Sequence, residues 1–400
     1  MLCHKGSVLM NKSVYMDNNA TTYMKPEVLD EMREYFLDIY GNPSSKFYGV
    51  GRIAEQKLLA LRERVAKQLG AKTNEIYFTA SGCEADNWAI KGVADANHEK
   101  GNHIITSSIE HHAILSSCEF LEKHGYEVTY LPVDEFGRVN PKDVKAAITD
   151  KTVLISVMTA NNEIGTIEPI KEIAKIAKEY HITMHTDAVQ AIGHMKIDVS
   201  DLGVDLLSLS AHKFHGPKGV GALYIRNGVK ISNLIHGGGQ ERGKRAATEN
   251  LAGIAGLTKA LELANENLDN NVSHMQKMRD RLIAKISDSI PYCRLNGPKD
   301  DTRLCNNVNF SFQYVEGESI LMMLDMYNIA ASSGSACASG SLDPSHVLLA
   351  IGLPHEIAHG SLRLSVSEDT TEEEIDYVAD TLPGVIERLR AMSPLFEGIE

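Results

Sequence analysis

The stretch DLLSLSAHKFHGPKGVG, residues 205–221, decides the fold. Its apolar start is typical of a buried strand, and small and polar residues then surround one lysine, Lys213. Gly216, Pro217 and Gly219 are turn residues that allow a close approach of backbone or ligand. Burial just past a strand end disfavours the ammonium form, so such an amine can form a Schiff base with an aldehyde. Most lysines are solvated surface residues, so this hypothesis depends on the segments that precede it.

A second strand with an acidic end lies upstream of this lysine. Residues 181–193 read HITMHTDAVQAIG, and the alternation of ITMHT predicts a strand that ends at Asp187. Ligands of parallel α/β sheets bind outside the carboxyl ends of the strands. Pyridoxal phosphate needs a Schiff-base lysine and an acid that keeps its pyridine nitrogen protonated. Asp187 and Lys213 on neighbouring strand ends would supply both, and Gln190 could donate a hydrogen bond to the ring oxygen.

The order of the elements predicts an α/β fold. Strand-like runs alternate with helical patterns, which favours a mostly parallel sheet with helices on both faces. Two domains are expected for a chain of 400 residues. We predict a large cofactor-binding domain over residues 24–265 and a smaller domain that residues 1–23 and 266–400 form together.

Composition excludes several classes of protein. The formal net charge of −13 argues against a nonspecific nucleic-acid binder, and no apolar run approaches the roughly 18 residues of a membrane span. None of the six cysteines has CxxC spacing, so no zinc or iron–sulfur site is predicted within one chain. The absence of a disulfide pattern favours a reducing, cytoplasmic setting.

Eight segments in order along the chain carry a family resemblance. They are YMDNNATT (15–22), GNPSS (41–45), IEHHAIL (109–115), NNEIG (161–165), DAVQAIG (187–193), SAHKFHGPKGVGALY (210–224), GGGQERGKRAATEN (237–250) and SSGSACASGSLDPS (332–345). They resemble the segments of the NifS/IscS class of cysteine desulfurases, which are fold-type I pyridoxal-phosphate enzymes of the class-V aminotransferase family. The resemblance implies pyridoxal 5'-phosphate as the cofactor and a mostly parallel central sheet flanked by helices, with a smaller α+β domain.

A phosphate cradle is expected where a strand turns into a helix at residues 80–84, ASGCE. Backbone N–H groups at a helix start bind anions, which selects Gly82 and Cys83, although the pattern alone more often marks an ordinary helix start. Relatives in this family usually carry a threonine where Cys83 stands. A thiol donates a weaker hydrogen bond than a hydroxyl, so this position departs from the family pattern.

The resemblance implies further contacts to the cofactor. His111 corresponds to the histidine that stacks on the pyridine ring, whereas His112 is left as an ordinary surface residue. Asn162 corresponds to a residue near the ring oxygen and the substrate. The remaining implied cofactor contacts are Ser210, His212 and, across the interface of a homodimer, Thr248, which would contact the neighbouring subunit's cofactor.

A second centre of chemistry is ASSGSACASGS, residues 331–341, in which only small residues surround Cys337. Cysteine is usually a buried apolar residue, but nothing in this run can anchor it to a core, so a mobile surface loop is expected. The resemblance makes Cys337 the nucleophile that takes up sulfur. It also makes Arg363 the partner of the substrate carboxylate, because a guanidinium can pair with a carboxylate through two hydrogen bonds.

The implied reaction converts L-cysteine to L-alanine: Lys213 removes the Cα proton, His111 assists, and the sulfur ends as a persulfide on Cys337. The sulfur acceptor stays open between an iron–sulfur scaffold, a tRNA-thiolation protein and a selenium pathway. Two alternative functions also stay open: another fold-type I enzyme, such as a selenocysteine lyase or an aminotransferase, and a non-catalytic sulfur-relay protein with a degenerate cofactor site. Cys83 and Ala247, which replaces a usual glycine, support the second alternative.

Overall fold

The computed structural model describes residues 13–333 and 344–394, together with Phe396. Its strands are β1 (Val14–Tyr15), β2 (Ile76–Thr79), β3 (His103–Ser107), β4 (Glu127–Leu131), β5 (Thr152–Ser156), β6 (Thr183–Asp187), β7 (Leu206–Ser210), β8 (Gly221–Ile225), β9 (Cys293–Leu295), β10 (Asn307–Phe312), β11 (Ile329–Ala330) and β12 (Ser361–Ser365). Its α-helices are α1 (Pro26–Leu37), α2 (Gly49–Leu69), α3 (Gly82–Ala96), α4 (His112–Glu122), α5 (Pro141–Ala147), α6 (Ile170–Glu179), α7 (Val199–Leu202), α8 (Gln240–Gly243), α9 (Leu251–Glu266), α10 (Leu268–Ser289), α11 (Gly317–Asp325), α12 (His346–Ala350), α13 (His355–His359) and α14 (Glu372–Ala391).

Seven strands form the central sheet, in the order β2-β8-β7-β6-β5-β3-β4. Strands β4, β3, β5, β6 and β7 are parallel to their neighbours in this order. Strand β8 runs antiparallel to both β7 and β2. The predicted fold, an α/β protein with a mostly parallel central sheet, is therefore confirmed.

Helices cover both faces of this sheet. Leu206 of β7 packs into a core beneath α3 and α4, whereas its neighbour Leu207 packs into the core shared with α1, α2 and α9. Successive strand residues point to opposite faces of the sheet. A strand that helices cover on both sides therefore carries apolar residues on both of its faces. Within the described ranges, no helix combines the length and the apolar content that crossing a membrane requires.

A separate core lies outside the central sheet. Strands β9, β10 and β12 form an antiparallel sheet, and β1 pairs in parallel with β11. Val14 and Met16 from the start of the described chain share this core with residues of α10 and α14. The first residue of α10 that belongs to this core is Met275. The predicted division into two domains remains a prediction.

The glycine-rich segment 237–250 is fixed to the sheet edge by a buried ion pair. Arg62 of α2 contacts Glu241 through two hydrogen bonds of 2.6 and 2.7 Å, and Glu241 also accepts from the Phe78 amide at 3.0 Å. Both charged side chains are almost fully buried. The φ angle of Ala247 is 93°, in the region that favours glycine. The replacement noted in the sequence thus stands at a position where glycine would relieve backbone strain.

Replacing Arg62 with Met should lower the free energy of unfolding by about 3–5 kcal/mol, because it leaves the buried Glu241 carboxylate without its cation. Lys57→Met is the matched control, since the Lys57–Glu34 pair is half exposed at 3.2 Å. Loss of such a surface pair should change the free energy of unfolding by less than about 1 kcal/mol. Urea denaturation followed by circular dichroism measures both effects, and equal effects would contradict the role of the buried pair.

Candidate active site

A cavity of about 360 Å³ opens at the carboxyl ends of the parallel strands. Most of its lining residues lie at or after the ends of β3, β5, β6 and β7 or in α3, and this edge is where parallel sheets bind ligands. Asn19, Ala20, His346 and Arg363 complete the lining. A larger groove of about 880 Å³ runs between α10, β9 and the turn at Glu135 and Phe136. That groove contains none of the predicted site residues, so the smaller cavity is the candidate active site.

The cavity brings together most of the predicted site residues. Those that line it are Gly82, Cys83, His111, Asn162, Asp187, Gln190, Ser210, His212, Lys213 and Arg363. Thr248 is exposed and is not part of this lining, as expected of a residue that would contact another subunit's cofactor. Cys337 lies outside the described residues. The roles of all these residues remain predictions.

Lys213 is positioned by the tight turn that follows β7. The chain forms a single turn of 3₁₀-helix over Ala211–Lys213. The Lys213 amine donates to the carbonyl oxygens of Asn19 and Ala20 at 2.6 and 2.8 Å. Its neighbour His212 lies against Thr21, with Nδ1 and Oγ1 3.1 Å apart. The DNNA segment, residues 17–20, therefore holds the amine at the cavity wall.

Asp187 ends β6 and is buried in the cavity. Burial raises the pKa of its carboxyl to about 6, although the Val189 amide and the charge of Lys213 act against the rise. Asp187 Oδ1 accepts from the Val189 amide at 2.8 Å. Gln190, three positions further along the chain, donates from Nε2 to the Asn19 carbonyl at 2.9 Å. The second hydrogen of that amide group can serve a ring oxygen.

His111 is a neutral imidazole at the start of α4. Its Nδ1 accepts from the Ala113 amide at 3.1 Å and caps the helix, which places the ring proton on Nε2. Burial and, to a smaller extent, the charge of Lys213 lower the pKa of His111 to about 4. A neutral ring can stack on a protonated pyridine without adding a second positive charge beside it.

The start of α3 has the features expected of the predicted phosphate cradle. Ser81 caps this helix by accepting from the Glu84 amide at 3.1 Å. A Cβ atom at Gly82 would lie 2.8 Å from the Val189 side chain, so only glycine fits there. The N–H groups and the dipole of a helix start attract anions. Arg245 pairs with Glu84 at 2.8 and 3.1 Å, so the acid beside the cradle is neutralised.

Arg363 lies in β12 and reaches the cavity from the antiparallel sheet of β9, β10 and β12. The side chain is almost fully buried; Nη2 donates to Asp17 Oδ1 at 3.0 Å and Nη1 to the Asn162 carbonyl at 3.1 Å. Its Nε is buried without a hydrogen-bond acceptor in the described chain. The guanidinium is thus fixed in place with a donor left for a carboxylate, as the predicted substrate contact requires.

Several residues of the site carried no role in the sequence analysis. Asp17 and the carbonyls of Asn19 and Ala20 lie in the quoted segment YMDNNATT, but a carbonyl contact leaves no signal in the type of side chain. Asp86 and Glu110 also line the cavity and are buried. Each is an acidic residue among apolar neighbours, Asp86 in α3 and Glu110 after β3. The sequence alone does not show whether such an acid is buried or exposed.

The residues of the cavity fit pyridoxal phosphate. A helix start where only glycine fits suits the phosphate group. A buried carboxylate at a strand end suits the ring nitrogen, and Lys213 suits the aldehyde. Unpaired buried atoms, Gln190 Oε1 and Arg363 Nε, also line the space. Buried polar atoms without hydrogen-bond partners are energetically costly. A polar ligand in the cavity would supply the partners that these two atoms lack in the described chain.

The chain is similar to known proteins over nearly its whole length. The family model for class-V aminotransferases matches residues 14–378. A cysteine desulfurase IscS of Clostridium botulinum is 64% identical over 389 residues, which cover 97% of this chain and 98% of that protein. A solved NifS-like protein has a TM-score of 0.88 at 40% identity and covers 94% of this chain and 100% of its own. The structure of SspA in complex with cysteine has a TM-score of 0.79 at 36% identity, covering 90% of this chain and 100% of its own.

Replacing Cys83 with Thr should tighten the binding of pyridoxal phosphate to the apo-protein, because a hydroxyl donates a better hydrogen bond to a phosphate than a thiol does. A hydrogen bond to a charged group contributes about 1.5–3 kcal/mol, so the dissociation constant should fall by about 10- to 100-fold. Cys83→Val is the matched control, since it has the shape of threonine without the hydroxyl. An absorbance titration measures both, and equal affinities of the two variants would show that backbone amides alone hold the phosphate.

Proposed function

The chain belongs to the class-V aminotransferase family, and we propose that its cavity carries out the pyridoxal-phosphate-dependent desulfuration of L-cysteine. One observation carries this proposal: Lys213, Asp187, His111 and Arg363 come from distant parts of the chain and line one cavity. The high identity to a cysteine desulfurase supports the same activity. The products are L-alanine and an enzyme-bound sulfur.

The described residues divide the work of binding and proton transfer. When bound, pyridoxal phosphate supplies an aldehyde for an amine and a ring that takes up the electron pair freed at the substrate Cα. Arg363 holds the substrate carboxylate and so fixes the direction of the Cα–H bond. Lys213, held at the cavity wall by the carbonyls of Asn19 and Ala20, takes the Cα proton once its amine is released.

The other polar residues of the cavity supply charge and hydrogen bonds to the cofactor ring. The Asp187 carboxylate would pair with the protonated ring nitrogen of the bound cofactor, and burial of Asp187 would keep the charge interaction strong. The neutral His111 can donate a hydrogen bond from Nε2 while its Nδ1 stays fixed by the Ala113 amide. Gln190 and Asn162 line the same cavity and would be the polar neighbours of the cofactor's ring oxygen.

We assign the sulfur-accepting step to Cys337. Its thiolate attacks the sulfur of the substrate. An S–S bond forms while the bond between the substrate Cβ and its sulfur breaks, and a persulfide remains on Cys337. The substrate and one thiol yield alanine and one persulfide, so the step needs no external oxidant. A reducing, cytoplasmic setting and transfer to an iron–sulfur scaffold or a thiolation protein complete the proposal.

A homodimer is the proposed assembly. Large apolar side chains are exposed between the end of α1 and the start of α2: Phe36, Leu37, Tyr40, Phe47, Tyr48, Val50 and Ile53, with Phe47 99% exposed. Apolar side chains in such number within one stretch mark a protein interface. Thr248 is exposed on the segment that Arg245 and Glu241 fix to the sheet. In the proposed homodimer a second copy covers the apolar stretch, and Thr248 contacts the cofactor of that copy.

Replacing Lys213 with Ala should lower alanine formation from L-cysteine by at least about 10²–10⁴-fold, because the chain loses the base for the Cα proton. Lys218→Ala, at an exposed lysine of the same loop, is the control and should keep the activity.

Cys337→Ala should still bind pyridoxal phosphate and cysteine but form no persulfide, whereas Cys293→Ala should behave as the wild type. Alanine quantification and peptide mass mapping measure these outcomes; keto-acid release in place of alanine would identify an aminotransferase instead.

Introducing charge into the apolar stretch should dissociate the homodimer. The variant Phe36→Glu/Phe47→Glu should shift the mass measured by light scattering from two chains to one and weaken the retention of pyridoxal phosphate, since Thr248 of the other subunit is lost. Phe136→Glu is the matched control, because Phe136 is an exposed aromatic residue far along the chain from this stretch. A wild type that is monomeric at all concentrations would overturn the assignment of this surface.

A further inference from the structure

A further histidine of the cavity, His346, lies at the first position of α12. It lines the cavity together with Lys213 and Arg363. Its charge also acts on the pKa of His111, so the two imidazole rings share one space. No step of the proposed reaction uses His346. An imidazole in such a cavity can act as a general acid or a general base, and the neighbours of its two nitrogens decide which.

Contacts on two sides fix the position of His346. The residue before it, Ser345, caps α12 by accepting from two amides of the helix at 3.1 and 3.3 Å. The same hydroxyl donates to the carboxylate of Glu163, which is buried in the cavity wall. The His346 ring is held separately, because Nε2 donates to the Glu110 carbonyl at 2.9 Å. Backbone and ring are therefore fixed before any ligand binds, as a group that takes part in chemistry requires.

The hydrogen bond to Glu110 also fixes the tautomer of His346. A carbonyl oxygen only accepts, so the ring proton is on Nε2 and the lone pair is on Nδ1. No group of residues 13–333 or 344–394 hydrogen-bonds to Nδ1, and this atom is not buried. His111 has the opposite tautomer, because its Nδ1 accepts from the Ala113 amide. The cavity thus holds one imidazole that donates through Nε2 and one whose Nδ1 can accept a proton.

His346 is neutral in the resting protein. Burial and the charge of His112 lower its pKa, while the hydrogen bond to the Glu110 carbonyl acts against the fall. The ring of His112 lies 4.9 Å from that of His346, at an angle of 52°, and His112 is exposed. A negative charge that forms beside His346 favours its protonated form. The ring is therefore ready to take up a proton when an anion forms next to it.

We propose that His346 is the base that takes the proton of the Cys337 thiol in the sulfur-accepting step. The S–H bond breaks, the proton binds Nδ1, and the electron pair stays on the sulfur as a thiolate. The thiolate forms the S–S bond while the bond between the substrate Cβ and its sulfur breaks, and the electron pair of that bond stays with the carbon. The imidazolium then returns its proton to this carbon, which becomes the methyl group of alanine. Protons and electrons balance without an oxidant.

A base is needed because the thiolate, and not the thiol, is the nucleophile. A thiol of ordinary pKa, about 8.5, is only about 3% ionised at pH 7, so full ionisation raises the rate by up to about 30-fold. A thiolate and an imidazolium in a buried cavity stabilise each other. His346 follows Cys337 by nine positions, and nine extended residues span about 30 Å, so the chain permits the contact. This inference rests on the proposed function, in which Cys337 accepts the sulfur.

The pH dependence of persulfide formation tests the proposal. His346→Gln keeps an N–H donor for the Glu110 carbonyl but has no basic nitrogen. In a single turnover of the holoenzyme with L-cysteine, this variant should form the persulfide about 10- to 30-fold more slowly than the wild type at pH 7. At pH 9.5 the two rates should agree within about 2-fold, because the thiol then ionises without help. Glu163, whose pKa burial raises to about 7, titrates in both proteins and does not alter the comparison.

Exchange of the Cα hydrogen of L-alanine in D₂O is the second readout. It uses the cofactor, Lys213 and Arg363 but no thiol, so His346→Gln should keep the exchange rate within about 2-fold of the wild type. His355→Gln, at an exposed histidine of α13, is the matched control and should equal the wild type in both assays. Equal slowing of persulfide formation at pH 7 and pH 9.5 would overturn the proposal. A loss of Cα exchange as large as the loss of persulfide formation would overturn it as well.

His346→Ala decides the result if His346→Gln does not fold. Free imidazole can enter the space that the ring leaves and replace the base, so it should restore persulfide formation by His346→Ala at pH 7. It should not change the rate of the wild type. A rate of His346→Ala that imidazole does not raise would contradict the role of His346 as a base.

Failure of the proposed function gives a different pattern. If the wild type neither exchanges the Cα hydrogen nor forms alanine, the proposed function itself is wrong. If the wild type forms alanine and the persulfide maps to another cysteine, the assignment of Cys337 is wrong. If the wild type forms the Cys337 persulfide and His346→Gln is equally fast at pH 7, only the inference about His346 is wrong.

Discussion

The carbonyl oxygen of Asn19 is the acceptor on which the site depends. It takes hydrogen bonds from the Lys213 amine at 2.6 Å and from Gln190 Nε2 at 2.9 Å. Asn19 is itself fixed, because its amide donates to Ser365 Oγ at 2.9 Å and its Oδ1 accepts from Asn306 at 2.8 Å. Buried polar groups must find partners within the chain. The segment after β1, the loop that carries Lys213 and the strand end at Ser365 are therefore held in one geometry.

Desolvation decides the charges around this geometry. It is the largest cause of the lowered pKa of His111 and of the raised pKa values of Asp187 and Asp86. Charged partners then select which groups stay ionised: Lys213 favours the charged form of Asp187, and Asp17 compensates the buried Arg363. In a buried site with few, fixed charges, the electrostatic interaction between a carboxylate and a ring nitrogen is stronger than in water.

Much of the site followed from the ends of strands. Lys213 and Asp187 were assigned because parallel strands place their carboxyl ends at one edge, and the cavity lies at that edge. The hydrogen bonds to the carbonyls of Asn19 and Ala20 could not be predicted, since every residue type carries a carbonyl. Asp86 could not be separated from Glu84, two positions away on α3: packing buries Asp86, whereas Glu84 pairs with Arg245.

The sequence by itself determined the strand–helix alternation, the lysine and acid at strand ends, and the family to which these segments belong, because local periodicity and residue chemistry are properties of short stretches. Only the tertiary structure decided the antiparallel direction of β8, the burial of Asp86 beside His185, and the contact between Lys213 and Asn19 across 194 positions of the chain. Such contacts join residues far apart in sequence, and packing of the whole chain sets which groups lose water and so which charges survive.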